Sequence, residues 1–187
     1  GEEARALRSL GYIGAGGEYG LERSGMDPKA FAPLYRKLVA VRELCDARRF
    51  AEAVPLYTQL VAAFPRSSTL LGELGLVEMA LGNAAEAESH LRLALERNPE
   101  NSHAMLGLAN VAIGRSDFKG AEKHLKDVLA LDPDDLEANF DLGALYFQNL
   151  GQPALAARYW QRFVELQPED PEAPRIRQLI AQLTAAP

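Results

Sequence analysis

His90 and His124 fall at matching places in two successive stretches of the chain, 34 residues apart, and histidines so spaced could stand one above the other over a metal ion. A zinc site needs further ligands converging at close range, and neither cysteine nor a carboxylate cluster at ligand spacing accompanies them. Both histidines therefore read as residues of solvated helix faces, and no metal or other cofactor is expected. Cys45 is the single cysteine and cannot form a disulfide within its own chain. No glycine-rich loop opens a helix to cradle phosphate, and no Ser/His/Asp ordering or paired-carboxylate frame stands out. This reads as a chain that is not an enzyme.

With 187 residues, 48% of them hydrophobic and 25% charged, the chain is long enough for one domain with a continuous core. A formal charge of −6 argues against nucleic acid as a partner, because phosphate binding wants a basic stripe. No apolar run reaches the roughly 18 residues of a membrane span. The lone cysteine fits a reducing compartment without excluding export, since a large helical core needs no staple. The opening "GEEARAL" shows neither methionine nor a signal peptide, so the chain is expected to be an excised piece of a longer protein.

Any site here must be positioned by a repeat. Ala121, Leu125, Val128 and Pro133 recur upstream as Ala87, Leu91, Ala94 and Pro99, and further upstream as Ala53, Tyr57, Leu60 and Pro65. Downstream they recur as Ala156, Trp160, Phe163 and Pro168, and the steps are 34, 34 and 35 residues. A period in this range marks a helical repeat array.

The spacing predicts four units, 34–67, 68–101, 102–135 and 136–170, each a helix A, a short turn and a helix B. A small residue of helix A (Gly75, Ala109, Gly143) is expected to face a small residue early in helix B (Ala87, Ala121, Ala156), so that the backbones approach closely. Gly82-Asn83, Gly114 to Asp117 and Asn149 to Pro153 mark the turns between A and B. Ser67 or Ser68, Asn101 or Ser102, and Asp134 or Asp135 are ready caps for the next A helix. The first unit departs from the pattern with Val41 at the small position and with Pro55, which should kink or delay its B helix. The fourth has one extra residue near Gly151, expected to be absorbed in the turn. Residues 1–33 read as a leader: a short helix over 2–10, a glycine-rich connector, then Asp27-Pro28 as a helix start that Pro33 breaks, so that the first full helix begins near Leu34. Residues 171–187 read as a capping helix, about 172–184, and tail, with Ile176, Leu179, Ile180 and Leu183 on one side.

In this pattern the chain resembles the tetratricopeptide repeat (TPR) family. The resemblance implies an all-α fold, a TPR right-handed superhelix of four repeats plus a C-terminal capping helix, whose A helices line a concave groove. On that mapping the groove positions include Tyr35, Leu38, Arg42, Thr69, Glu73, Leu76, His103, Leu106, Asn110, Phe140, Asp141 and Phe147. Chaperone-binding members place lysine, asparagine and arginine there to clamp a C-terminal carboxylate. This chain offers only Asn110 and Arg42 as loose matches, so that activity is not expected. A groove rich in leucine, phenylalanine and tyrosine better suits an apolar or amphipathic peptide.

The leader adds a second resemblance. "LRSLGYIG", followed after a gap by "DPK" and the repeats, is similar to the junction in bacterial sulfatase-like hydrolases of the alkaline phosphatase superfamily, where a C-terminal TPR region follows the catalytic domain. The match covers about residues 4–29. It implies a non-catalytic, exported interaction module, with the partner a protein or peptide segment that includes its own upstream catalytic domain or leader. The alternative is a free-standing, cytoplasmic adaptor. Cys45-Asp46-Ala47-Arg48-Arg49 also matches the short C-x-A-x-R core of the sulfatase formylglycine motif. It lacks the Thr-Gly continuation and ends a repeat helix, so Cys45 reads as a half-buried helix residue. Charge is uneven, with residues 34–67 at +3 and residues 68–187 at −8, which could orient a charged partner. Nothing in the sequence sets the oligomeric state.

Overall fold

The computed structural model describes residues 28–185, with side chains from Ala32 onward. The expected leader helix over 2–10 and the glycine-rich connector lie outside them. Nine helices and no strand occur among the described residues: α1 Pro28–Asp46, α2 Phe50–Ala63, α3 Ser68–Ala80, α4 Ala84–Arg97, α5 Ser102–Gly114, α6 Phe118–Leu131, α7 Leu136–Gln148, α8 Pro153–Leu166 and α9 Ala173–Ala185. This is the all-α, TPR-type helical solenoid that the period implies.

Caps and turns explain where the helices begin and end. Ser67 Oγ accepts the Leu70 N–H at 3.3 Å, Asn101 Oδ1 that of Ala104 at 3.0 Å, and Asp135 Oδ1 that of Ala138 at 2.8 Å. Each A helix from α3 to α7 thus starts on a side chain that satisfies an orphan donor, worth about 1 kcal/mol apiece. Each A helix ends on a residue in the left-handed region: Arg48 (φ 55°), Gly82 (φ 82°), Ser116 (φ 61°) and Gly151 (φ 62°). In the first three turns the next amide reaches back five residues, Arg49 to Leu44, Asn83 to Glu78 and Asp117 to Ala112, at 2.7, 2.9 and 2.8 Å. That closure is a Schellman motif. In the fourth turn Gln152 reaches back six residues, to Tyr146, so the turn takes up the extra residue.

Two prolines act differently from expectation. Helix α1 runs from Pro28 through Pro33 without a break, and α2 starts at Phe50 and runs through Pro55. Both prolines sit in the second turn of their helix, where the missing N–H removes one bond near a helix end. Pro33 and Pro55 are exposed, so the freed carbonyls have water within reach.

The chain divides into two compact units, one ending at Gly107 and one beginning at Leu108, with the boundary inside α5. In the first, Leu38 and Val41 of α1, Tyr57 and Leu60 of α2, and Leu70, Leu74 and Val77 of α3 form one buried cluster. Each such side chain, fully buried, stabilises by about 1.5–3 kcal/mol relative to exposure. Backbone approach is set by glycine: a Cβ on Gly75 would stand 2.6 Å from Leu91 Cγ, and one on Gly107 would stand 2.7 Å from Leu91 Cδ1. In the second unit Leu125, Val128, Leu142, Leu145, Tyr146, Trp160 and Phe163 are buried, with Ala173 and Ile176 of α9 closing the C-terminal end. A Cβ on Gly143 would fall inside the indole of Trp160.

Candidate functional site

All twelve groove positions expected from the sequence lie on A helices, and their exposure differs sharply. In the first unit Tyr35 of α1, Thr69, Glu73 and Leu76 of α3 are half-buried, and Arg42 and His103 are exposed. Leu38 and Leu106 are only 6% and 4% exposed and serve the core. Leu76 leans on the α5 backbone, its Cδ2 3.1 Å from where a Gly107 Cβ would stand. In the second unit Asn110, Phe140 and Asp141 are half-buried, and Phe147 is 41% exposed.

Helix α7 carries a continuous face of mixed chemistry. Phe140, Ala144 and Phe147 follow one another at intervals of four and three, and Asp141 lies beside them on the same side. Aromatic contacts fix the two phenylalanines: Phe140 meets Phe163 edge-on at 5.3 Å between centroids, and Phe147 tilts over Trp160 at 5.4 Å. Both rings are therefore held in place before any partner arrives. Burial pushes the Asp141 carboxyl up to about 6, with Glu137 and then Asp135 adding to the effect. No hydrogen bond or ion pair reaches Asp141 among the described residues.

Several polar contacts escaped the sequence reading because they join residues on different helices. His90 is half-buried rather than fully solvated: its Nδ1 lies 2.7 Å from the buried Glu78 Oε2, linking α4 to α3. The equivalent pair two repeats later is aromatic, Tyr159 stacked on Tyr146 at 5.7 Å, and the Tyr146 hydroxyl donates to Glu122 at 2.6 Å. Cys45 is half-buried, its Sγ 3.9 Å from the Tyr57 hydroxyl. Burial pushes that thiol up and pushes the Tyr57 phenol far above its usual range. A raised thiol pKa leaves little thiolate, the reactive form. On the B-helix side of the second unit, Arg158, Tyr159, Arg162, Asp134 and Asn139 border a shallow pocket of about 590 Å³, and Arg162 Nε donates to Asp134 at 2.9 Å. Among the described residues no group of three or more His, Cys, Asp or Glu could hold a metal ion, and no helix is long and apolar enough to cross a membrane.

Solved structures share this arrangement. MamA from Desulfovibrio magneticus RS-1, residues 41 to its end, superposes with a TM-score of 0.62 at 17% identity, over 81% of this chain and 93% of that one. A tetratricopeptide repeat protein from Parabacteroides merdae gives 0.62 at 18% identity, over 81% of this chain and 60% of that one. The first TPR of Spaghetti (RPAP3), bound to the HSP90 peptide SRMEEVD, gives 0.57 at 24% identity, over 64% of this chain and 94% of that one. At these identities the likeness is one of fold. A search of curated proteins finds no match. Two family models described as tetratricopeptide repeat match residues 38–102 with 74–113, and residues 108–181. With nearly all the described helices covered by those models, the chain belongs to the tetratricopeptide repeat family.

Proposed function

We propose that this chain is a non-catalytic protein-interaction module that takes a short apolar or amphipathic peptide segment on the open faces of its A helices. The observation that carries this is Phe147, 41% exposed on α7 while its ring is held against Trp160. A large aromatic fixed in orientation at the surface is the kind of anchor that dominates binding energy at interfaces. In the second unit Asn110, Phe140 and Asp141 complete the proposed contact positions around Phe147; the first unit, taken by itself, offers Tyr35, Arg42, Thr69, Glu73, Leu76 and His103 as proposed positions of its own. Leu38 and Leu106 support them from the core. The peptide held by the Spaghetti repeat supports the reading in general terms.

The test is a display library of random short peptides passed over the folded chain. Retained peptides should lose affinity about ten-fold or more with Phe147→Ser, an interface anchor's share. Arg92→Ala, at an exposed position on the B helix α4, should leave affinity unchanged. A library that retains nothing, or retention indifferent to Phe147, would sink the proposal.

The parent is the finer half of the proposal: a bacterial sulfatase-like hydrolase, exported, of which this is the C-terminal TPR region. Its support is the resemblance over residues 4–29 alone. Reading the frame upstream of Glu2 decides it, because a hydrolase frame upholds it and an immediate start codon leaves the free-standing adaptor in its place.

A further inference from the structure

Among the acids around the start of α7, most have a structural task. Asp132 Oδ1 accepts the Asp134 N–H at 3.0 Å, Asp134 is gripped by Arg162, and Asp135 caps α7 through Ala138. Asp141 has no such task among the described residues, although it is half-buried and so stripped of much of its water. A desolvated carboxylate without a partner is costly, and the cost is recovered when a cation meets it. The charges that act on it are those of Glu137 and Asp135, both of its own sign. They would draw a basic group in and repel an acidic one.

Apolar surface lies alongside. Phe140 and Phe147 share the α7 face with Asp141, with the small Ala144 between the rings. We infer that the α7 face of the second unit is built for a peptide segment that sets a lysine or arginine between apolar side chains, the cation meeting Asp141 and the apolar groups lying on Phe140 and Phe147. This rests on the reading of the A helices as a peptide-binding surface and names the chemistry of the occupant. The rings supply contact area and the carboxylate supplies selection, since an apolar peptide without the cation leaves Asp141 buried and unpaired.

The experiment sequences the peptides retained by the whole chain in the display library and measures their affinity for charge variants. Retained peptides should share a lysine or arginine flanked by apolar residues. Asp141→Asn, nearly the same in shape, should weaken them about ten-fold or more, the loss expected of a charge-assisted hydrogen bond. Asp141→Lys should turn the preference toward glutamate or aspartate at the same peptide position. Melting of each variant confirms that it is folded. Peptides that bind through Phe147 but carry no basic residue, and bind Asp141→Asn as well as the parent, would overturn this inference and leave the interaction module standing. A library that retains nothing would overturn both.

Discussion

The indole N–H of Trp160 donates to the main-chain carbonyl of Phe140 at 3.1 Å, across the space that Gly143 leaves open. A carbonyl has two lone pairs, so this bond can be added to the helix's own ladder. The fourth hairpin thus joins its largest side chain to its smallest, where the second pairs Gly75 with Leu91 and the third has Ala109 and Leu125 at the same places, both fully buried. Gly143→Ala should therefore destabilise by about 1–3 kcal/mol, because the new methyl has no room beside the indole. Adding Trp160→Leu should recover part of that loss by recreating the third hairpin's pair, a coupling that denaturant titration of the double mutant cycle reads directly. Additive losses would refute the pairing.

The left-handed residue at the end of each A helix gives a second prediction. Two of the four positions are glycine, but Arg48 and Ser116 adopt the same conformation with side chains that resist it. Arg48→Gly and Ser116→Gly should each stabilise by about 0.5–1 kcal/mol, and Gly82→Ala should cost a similar amount or more. Urea midpoints measured with an unchanged slope would check the signs.

Glu78 depends on His90. Its side chain is 8% exposed and its carboxylate lies 2.7 Å from the His90 ring. His90→Ala should cost about 1–3 kcal/mol by leaving a buried acceptor unmet, and Glu78→Gln in that background should return part of it. Unchanged melting of His90→Ala would show that the contact contributes nothing.

Asp141 predicts a pH dependence. Its ordinary value is 3.8 and burial, then Glu137 and Asp135, bring it to about 6 in the folded chain. Between those values the folded state binds more protons than the unfolded one, so this group's contribution to stability falls as pH rises through the window. Asp141→Asn should consequently be more stable than the parent at pH 7, by roughly 1–3 kcal/mol, with the difference fading below about pH 4. A constant difference across pH would place the effect elsewhere. A stabilising substitution that also weakens peptide binding is the signature of a residue retained for function.

Features carried by residue type at a fixed period were legible in the sequence. Ala53, Ala87, Ala121 and Ala156 announce the close side of every B helix, and each is fully buried. The caps at Ser67, Asn101 and Asp135 were readable because serine, asparagine and aspartate precede their helices. The contact of Glu78 with His90 was not, since the histidine recurs as His124 but the place matching Glu78 holds Ala112 and then Tyr146, so no acid recurs with it. The start of α1 was misplaced because proline is read as a breaker, whereas in the second helical turn it removes a single bond. Among the proposed groove positions, the family mapping placed every residue on an A helix. It could not show that Leu38 and Leu106 are covered while Phe147 is open, because coverage depends on how far neighbouring side chains extend.

Trp160 is the chain's single tryptophan and lies, 4% exposed, against α7. Its emission, excited at the red edge where tyrosine no longer absorbs, is consequently a local gauge of the C-terminal hairpin. Circular dichroism, by contrast, sums every helix of the molecule. If the first unit melts separately, the two signals will part company on heating, and the optical trace from the indole will stay flat through the earlier event.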